Sequence, residues 1–336
     1  MKLQRHRLRW LAVVASSALF VYVVARAHPE VIFNKIRLLG WIFASLILLS
    51  GIRSLLRAIA WSYCVRTQGV HPDGFDLFGP RLVADALTDS MPAGPLFGET
   101  SRVVSISRFI PAQAGASSVL IENLIFSLAA ALFMLGGVAL VPLTFNAPQA
   151  FRWMGGSLAI GFLSVIFVAC WMVRRRVPVL ELMLYNLRRA GLRWGFLERH
   201  KSQLRAIERD IYDFFLAHKR LFLLVFAIEF ATNFTGVGEA YLVLKITAAH
   251  TSFLAAYLAE ATCRAVQLTF SFIPFGLGVQ EGAGAATLQV LGYAAGDGVS
   301  LAIVRKMRTL FWTALGLLLV ARYAVPQSTR REHSAL

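Results

Sequence analysis

Six predominantly apolar runs of helical length, at residues 37 to 65, 118 to 142, 153 to 173, 219 to 247, 252 to 272 and 300 to 324, constrain this chain more than any other feature. A bilayer core about 30 Å thick is crossed by roughly 20 apolar residues in helical conformation. With a further run from Trp10 to Val24, these segments use up most of the 336 residues. Backbone N–H and C=O groups find no water in hydrocarbon, so a spanning segment must satisfy them internally, and runs this long do so as helices. The expected fold is all-α: a polytopic membrane helical bundle in which residues 1 to 336 form a single integral membrane domain. The residue balance agrees, with 57% hydrophobic and 15% charged residues, against about 45–50% and about 25% in soluble domains. A large soluble enzyme domain is excluded.

The formal net charge is +16. The basic residues fall between the apolar runs rather than on one soluble face, so they point to membrane topology and anionic headgroups and not to nucleic acid. Twelve Lys or Arg against five Asp or Glu lie from Arg174 to Arg220. The positive-inside rule assigns this basic segment, residues 174 to 218, to the cytoplasmic face, together with the N-terminus (Lys2, Arg5, Arg7, Arg9) and Arg330-Arg331. Its leucines, from Leu180 to Leu197, fit amphipathic helices on the inner leaflet as well as a solvated loop. Residues 1 to 27 also carry the grammar of a cleavable signal peptide ending Ala25-Arg26-Ala27, although retention as a first helix is expected. The cysteines Cys64, Cys170 and Cys263 are too dispersed for a disulfide framework or metal site, and the histidines show no ligand spacing. No metal, cofactor or catalytic residue is assigned, and no hydrolase or phosphate-loop motif occurs.

Two stretches, 81 to 111 and 263 to 292, have helical flanks around a Pro/Gly break, the pattern of a broken or re-entrant helix hairpin. Irregular backbone at membrane depth is tolerated where protein or a wet cavity satisfies it, so both breaks are expected to line a cavity. They share Pro-x-Gly-x-x-x-x-Glu: Pro92, Gly94 and Glu99 in one, Pro274, Gly276 and Glu281 in the other, 182 residues apart. The same shift carries the run at 37 to 65 onto 219 to 247 and the run at 118 to 142 onto 300 to 324. A first repeat, 37 to 142, and a second, 219 to 324, are expected, with an odd number of crossings between them and hence inverted topology, a plan common in transporters. Arg305, Lys306 and Arg308 would then stand at the outer end of the last span.

Ionisable residues within spans are costly and face polar interiors or mark pathways. The substrate-binding candidates are Arg53 and Arg57, four apart on one helix face and suited to gripping a phosphate; Pro92, Gly94, Glu99 and Arg102 at the first break; Glu229; and Arg264, Pro274, Gly276 and Glu281 at the second. Asp85, Asp89, Glu122, Glu239 and Glu260 are further intramembrane charges. Ion pairing of Arg53 or Arg57 with Glu229 or Glu239 is an equally open reading, and helix capping would account for Glu99 and Glu281 singly.

The wording SMPAGPLFGETSRVVSISR, followed later by FIPFGLGVQEG, resembles the lysylphosphatidylglycerol synthase transmembrane-region family of flippase-like membrane proteins over about residues 10 to 325. A hopanoid-biosynthesis-associated subgroup suits the length and the second motif. Gly98, Glu99 and Arg102 fill the family's Gly-Glu and Arg places, whereas Pro95 and Phe97 replace a more glycine-rich wording. The resemblance implies a bacterial inner-membrane protein with a lipid cavity. The aminoacyl transfer of the large synthases resides in a separate soluble domain and is not expected here. A lipid flippase or transporter for a phospholipid, hopanoid or other isoprenoid lipid is the leading expectation. The alternatives are a non-catalytic membrane partner of a lipid-biosynthesis enzyme and an intramembrane lipid-modifying transferase.

Overall fold

The computed structural model describes residues 40 to 323, apart from 92–93, 108, 145–148, 180–181, 183–200, 249 and 270–278. Among the described residues the chain forms ten helices and no strand. They are α1 (Trp41–Arg66), α2 (Gly74–Ser90), α3 (Gly94–Ile106), α4 (Ala112–Thr144), α5 (Gln149–Arg175), α6 (Lys201–Ala217), α7 (Lys219–Thr247), α8 (Phe253–Thr269), α9 (Val279–Val290) and α10 (Ala295–Tyr323). The first-helix and cleavage expectations for residues 1 to 27, the C-terminal arginines and the leucines from Leu180 to Leu197, Leu182 excepted, lie outside the described residues.

Three helices, α1, α4 and α7, are both long and apolar enough to cross a bilayer, with mean hydropathies of 1.8, 2.1 and 1.7. The protein is an integral membrane protein. Its outward surface is apolar where hydrocarbon would meet it: Ile160, Leu163, Phe167 and Trp171 on α5 and Leu318 on α10 are exposed. The runs expected at 252 to 272 and 300 to 324 are interrupted by charge. Helix α8 has 17 residues and carries Glu260 and Arg264, and α10 carries Arg305, Lys306 and Arg308.

Helices α2 and α3, of 17 and 13 residues, are the two arms of a hairpin. Met91, in extended conformation, ends α2, and α3 starts at Gly94. A Cβ on Gly94 would overlap the Thr88 carbonyl oxygen, and one on Gly98 would overlap the Thr88 hydroxyl and stand 2.7 Å from the Ala84 carbonyl oxygen. Only a bare Cα lets the arms close this tightly. Helices α8 and α9, of 17 and 12 residues, also pack on each other.

Within each set of four, the contacts are the same: α1–α2, α2–α3, α3–α4 and α1–α4, then α7–α8, α8–α9, α9–α10 and α7–α10. Moving α1 to α4 by 182 residues brings every helix end to within four residues of its counterpart in α7 to α10. The sets join through α1–α7, α2–α10, α4–α7 and α4–α8. Val83 and Ala86 of α2 meet Leu317 and Val320 of α10. At the centre of that seam a Cβ on Gly316 would overlap the Leu82 carbonyl oxygen, so Gly316→Val wedges two backbones apart. A stability loss of about 2 kcal/mol is expected, read as a lower Tm in detergent. Gly161→Val, with open space around it, is the control.

Helix α6 is an amphipathic brace inside the basic segment. Asp210 accepts from Ser117 of α4 at 2.7 Å, Asp213 pairs with Arg176 at 2.8 Å, and the Tyr212 hydroxyl donates to the Val177 carbonyl at 2.6 Å. Burial and the neighbouring Glu208 push the Tyr212 phenol up to about 12, so it stays a donor at any physiological pH. Tyr212→Phe is expected to cost about 1 kcal/mol and to speed amide exchange in α6 by roughly five-fold.

Candidate functional site

Long apolar helices with an occasional charged residue bury that charge only where an opposite charge meets it. Here two such meetings form, one in each helix set, and a cavity of about 570 Å³ lies between them.

The first is centred on Glu122 of α4, whose side chain is 0% exposed. Its Oε1 accepts from Arg57 of α1 at 3.3 Å and from Arg81 of α2 at 3.1 Å, and its Oε2 pairs with Arg102 of α3 at 2.8 Å. One carboxylate thus gathers a guanidinium from each of the other three helices of the set. The outer sides of the arginines are also held: Arg81 by Asp85 at 3.2 Å, and Arg102 by Glu99 at 3.0 Å and by Asn123 at 3.4 Å. Arg102 lies 4.4 Å above the Trp61 ring and Arg57 3.9 Å above Phe126, contacts that suit a delocalised cation in a dry place.

The second meeting has the signs exchanged. Arg305 is the eleventh residue of α10, as Glu122 is of α4. It donates to Glu260 of α8 at 2.5 Å and to the Gly236 carbonyl of α7 at 3.4 Å. Glu260 also accepts from Arg264 at 2.9 Å, and Arg308 of α10 pairs with Glu239 of α7. Gly236 admits this cluster, because a Cβ there would overlap the Glu260 carboxylate.

The cavity between them is lined by α1, α2, α4, α8 and α10 among others, with seven Lys or Arg against five Asp or Glu. Arg53 projects into it one turn before Arg57. Among the described residues Arg53 makes no ion pair or hydrogen bond. It sits near Glu239 and Glu260, yet both are already held by Arg308 and by Arg264 and Arg305. The guanidinium is therefore a cation with its fork open to whatever enters.

Of the residues proposed from sequence, Arg53, Arg57, Glu99 and Arg264 line this cavity. Arg102 and Glu229 are sealed behind its wall, at 1% and 0% side-chain exposure. Gly94 forms the hairpin contact. Pro92, Pro274 and Gly276 lie outside the described residues, as does the side chain of Glu281, the third residue of α9.

Two expectations are corrected. Glu99 is the sixth residue of α3 and pairs with Arg102, so it is not a helix cap. Arg305 and Arg308 do not mark the outer end of a span. They stand well inside α10 and turn to the cavity, because Glu260 and Glu239 compensate them there. Arg81 is not among the sequence candidates, standing there only as the first residue of the stretch 81 to 111. Its signal was an Arg four residues before Asp85, a spacing that lets the two pair on one helix face.

A family model described as lysylphosphatidylglycerol synthase TM region matches residues 9–316. No curated protein and no solved structure matches the chain.

Proposed function

The chain belongs to the lysylphosphatidylglycerol synthase TM-region family, and from that membership we propose that it moves an amphipathic lipid across a bacterial inner membrane. The observation that carries this reading is the open guanidinium of Arg53 in a net-basic cavity inside an integral membrane bundle. A polar headgroup pays heavily to enter hydrocarbon. A charged cavity between two helix sets lowers that cost, while the tails stay outside among the exposed apolar side chains. The chemistry of Arg53 favours an anionic, phosphate-bearing headgroup, and the lipid body, whether a phospholipid, a hopanoid or another isoprenoid, is left to the apolar surface.

The matched helix ranges and contacts support an internal duplication, with α1 to α4 and α7 to α10 as inverted repeats and the two helix hairpins as re-entrant elements. Rocking of one set against the other would open the cavity first to one leaflet and then to the other. The basic segment and both termini are placed on the cytoplasmic side.

The test is purified full-length protein in vesicles containing a trace of headgroup-labelled phosphatidylglycerol, with the outer leaflet quenched chemically. Protein-dependent loss of the protected signal, several-fold above empty vesicles, is the expected result. Equal rates with and without protein, repeated with a labelled isoprenoid phosphate, would overturn the proposal.

A further inference from the structure

Glu122 is saturated with cations, but the carboxyl beside it is not. Glu229 of α7 is fully buried and reaches the same guanidinium edge from the other helix set, with Arg57 Nε 3.4 Å from its Oε2 while Arg57 Nη2 is 3.3 Å from Glu122. One edge that normally fits a single carboxylate therefore carries two, one from α4 and one from α7. Among the described residues no donor reaches Glu229 Oε1. The nearby Asn233 amide donates one N–H to the Glu229 backbone carbonyl at 2.9 Å and, among the described residues, none to the Glu229 carboxyl.

Other charges do not repair this. Arg81 and Arg102 close on Glu122 from α2 and α3, and α1 adds the thiol of Cys64. Helix α6 presents aromatic Phe214 and Phe215, packed near Val225 and Phe222. Further along α7, the charges of α8 and α10 close on each other and on Glu239. Two buried carboxylates sharing one guanidinium edge are costly, and a proton is the donor that relieves the one left short.

We propose that Glu122 and Glu229 form a proton-sharing carboxyl pair, with Glu229 as the residue that takes up and releases the proton. Glu122, facing three guanidinium groups, is the ionised partner. Proton uptake forms an O–H on Glu229 that donates to Glu122. Release leaves two negative groups in contact across the α4–α7 seam and pushes the helix sets apart, so protonation selects between their arrangements. This consequence rests on the transport reading, whereas the proton site itself does not.

The experiment is infrared spectroscopy of the purified full-length protein in lipid nanodiscs, titrated with pH in H₂O and D₂O. The wild type is expected to show a carboxylic C=O band that shifts on deuteration and disappears as pH rises. Glu229→Gln removes it, and Glu208→Gln on α6 does not. Absence of the band in wild type at every pH, or its persistence in Glu229→Gln, would overturn the proposal, and the wild-type titration decides even if the variant fails to fold. In vesicles with an imposed pH gradient, wild-type lipid movement should respond to the gradient and Glu229→Gln should not. Gradient-independent wild-type transport would refute the coupling. Absence of any wild-type transport would refute the transport reading instead, with the infrared result still standing.

Discussion

Glu122→Ala is expected to be the most damaging single substitution in the protein, lowering stability by about 3–5 kcal/mol. A whole domain holds only about 5–15 kcal/mol, so much of the variant should fail to elute as a monodisperse, folded species from detergent. The cause lies less in the energy of the pairs than in what their loss strands. Arg57, Arg81 and Arg102 would keep Glu229, Asp85 and Glu99, but the last two are more than a third exposed and hold only the outer side of their arginines. The inner side of the cluster would be three cations facing one another around a void. Removing opposite charges together should relieve this: Glu122→Ala with Arg102→Met is expected to be more stable than Glu122→Ala alone, a coupling that a double-mutant cycle measures. If thermal unfolding of Glu122→Ala in detergent matched the wild type, the central role of this carboxylate would be wrong.

What the sequence discloses and what it conceals differ in kind. The helical bundle follows from run length alone, because hydrocarbon leaves the backbone no other partner. The division between α2 and α3 was legible because Pro, Gly and a cluster of small residues interrupt an apolar run. The ionic pairings were legible only as open alternatives: pairing of Arg57 with Glu229 was among them and is present, whereas the convergence of Arg57, Arg81 and Arg102 on Glu122 was not among them. Arg57 and Glu229 are 172 residues apart, and nothing local to either says that α1 and α7 cross there. Arg305 and Arg308 were misread for the same reason: within a window, three basic residues resemble the end of a span, and only the carboxylates on α7 and α8 make an interior position affordable. Arg53 and Arg57 illustrate the limit most sharply. Spacing put both on one face, but which of them is spent on structure depends on the partners that α4 and α7 bring.

That distinction makes Arg53 the decisive position for function. Replacing Arg308 by alanine would orphan the buried Glu239 carboxylate, so any loss of transport would be confounded by loss of fold. Arg53→Ala orphans no ion-pair partner among the described residues, and its expected effect on stability is within about 0.5 kcal/mol. The effect on lipid movement should be large. Charge-assisted hydrogen bonds to a phosphate contribute about 1.5–3 kcal/mol, so a loss near 2 kcal/mol corresponds to roughly 30-fold slower translocation at subsaturating lipid. Arg53→Lys should fall between, since an ammonium keeps the charge but lacks the two-pronged donor geometry. A full wild-type rate in Arg53→Ala would remove the headgroup from this guanidinium. A fall in rate accompanied by an equal fall in Tm would mean that Arg53 supports the helix packing, and a fall in rate at constant Tm is what a cation waiting for an anionic headgroup predicts.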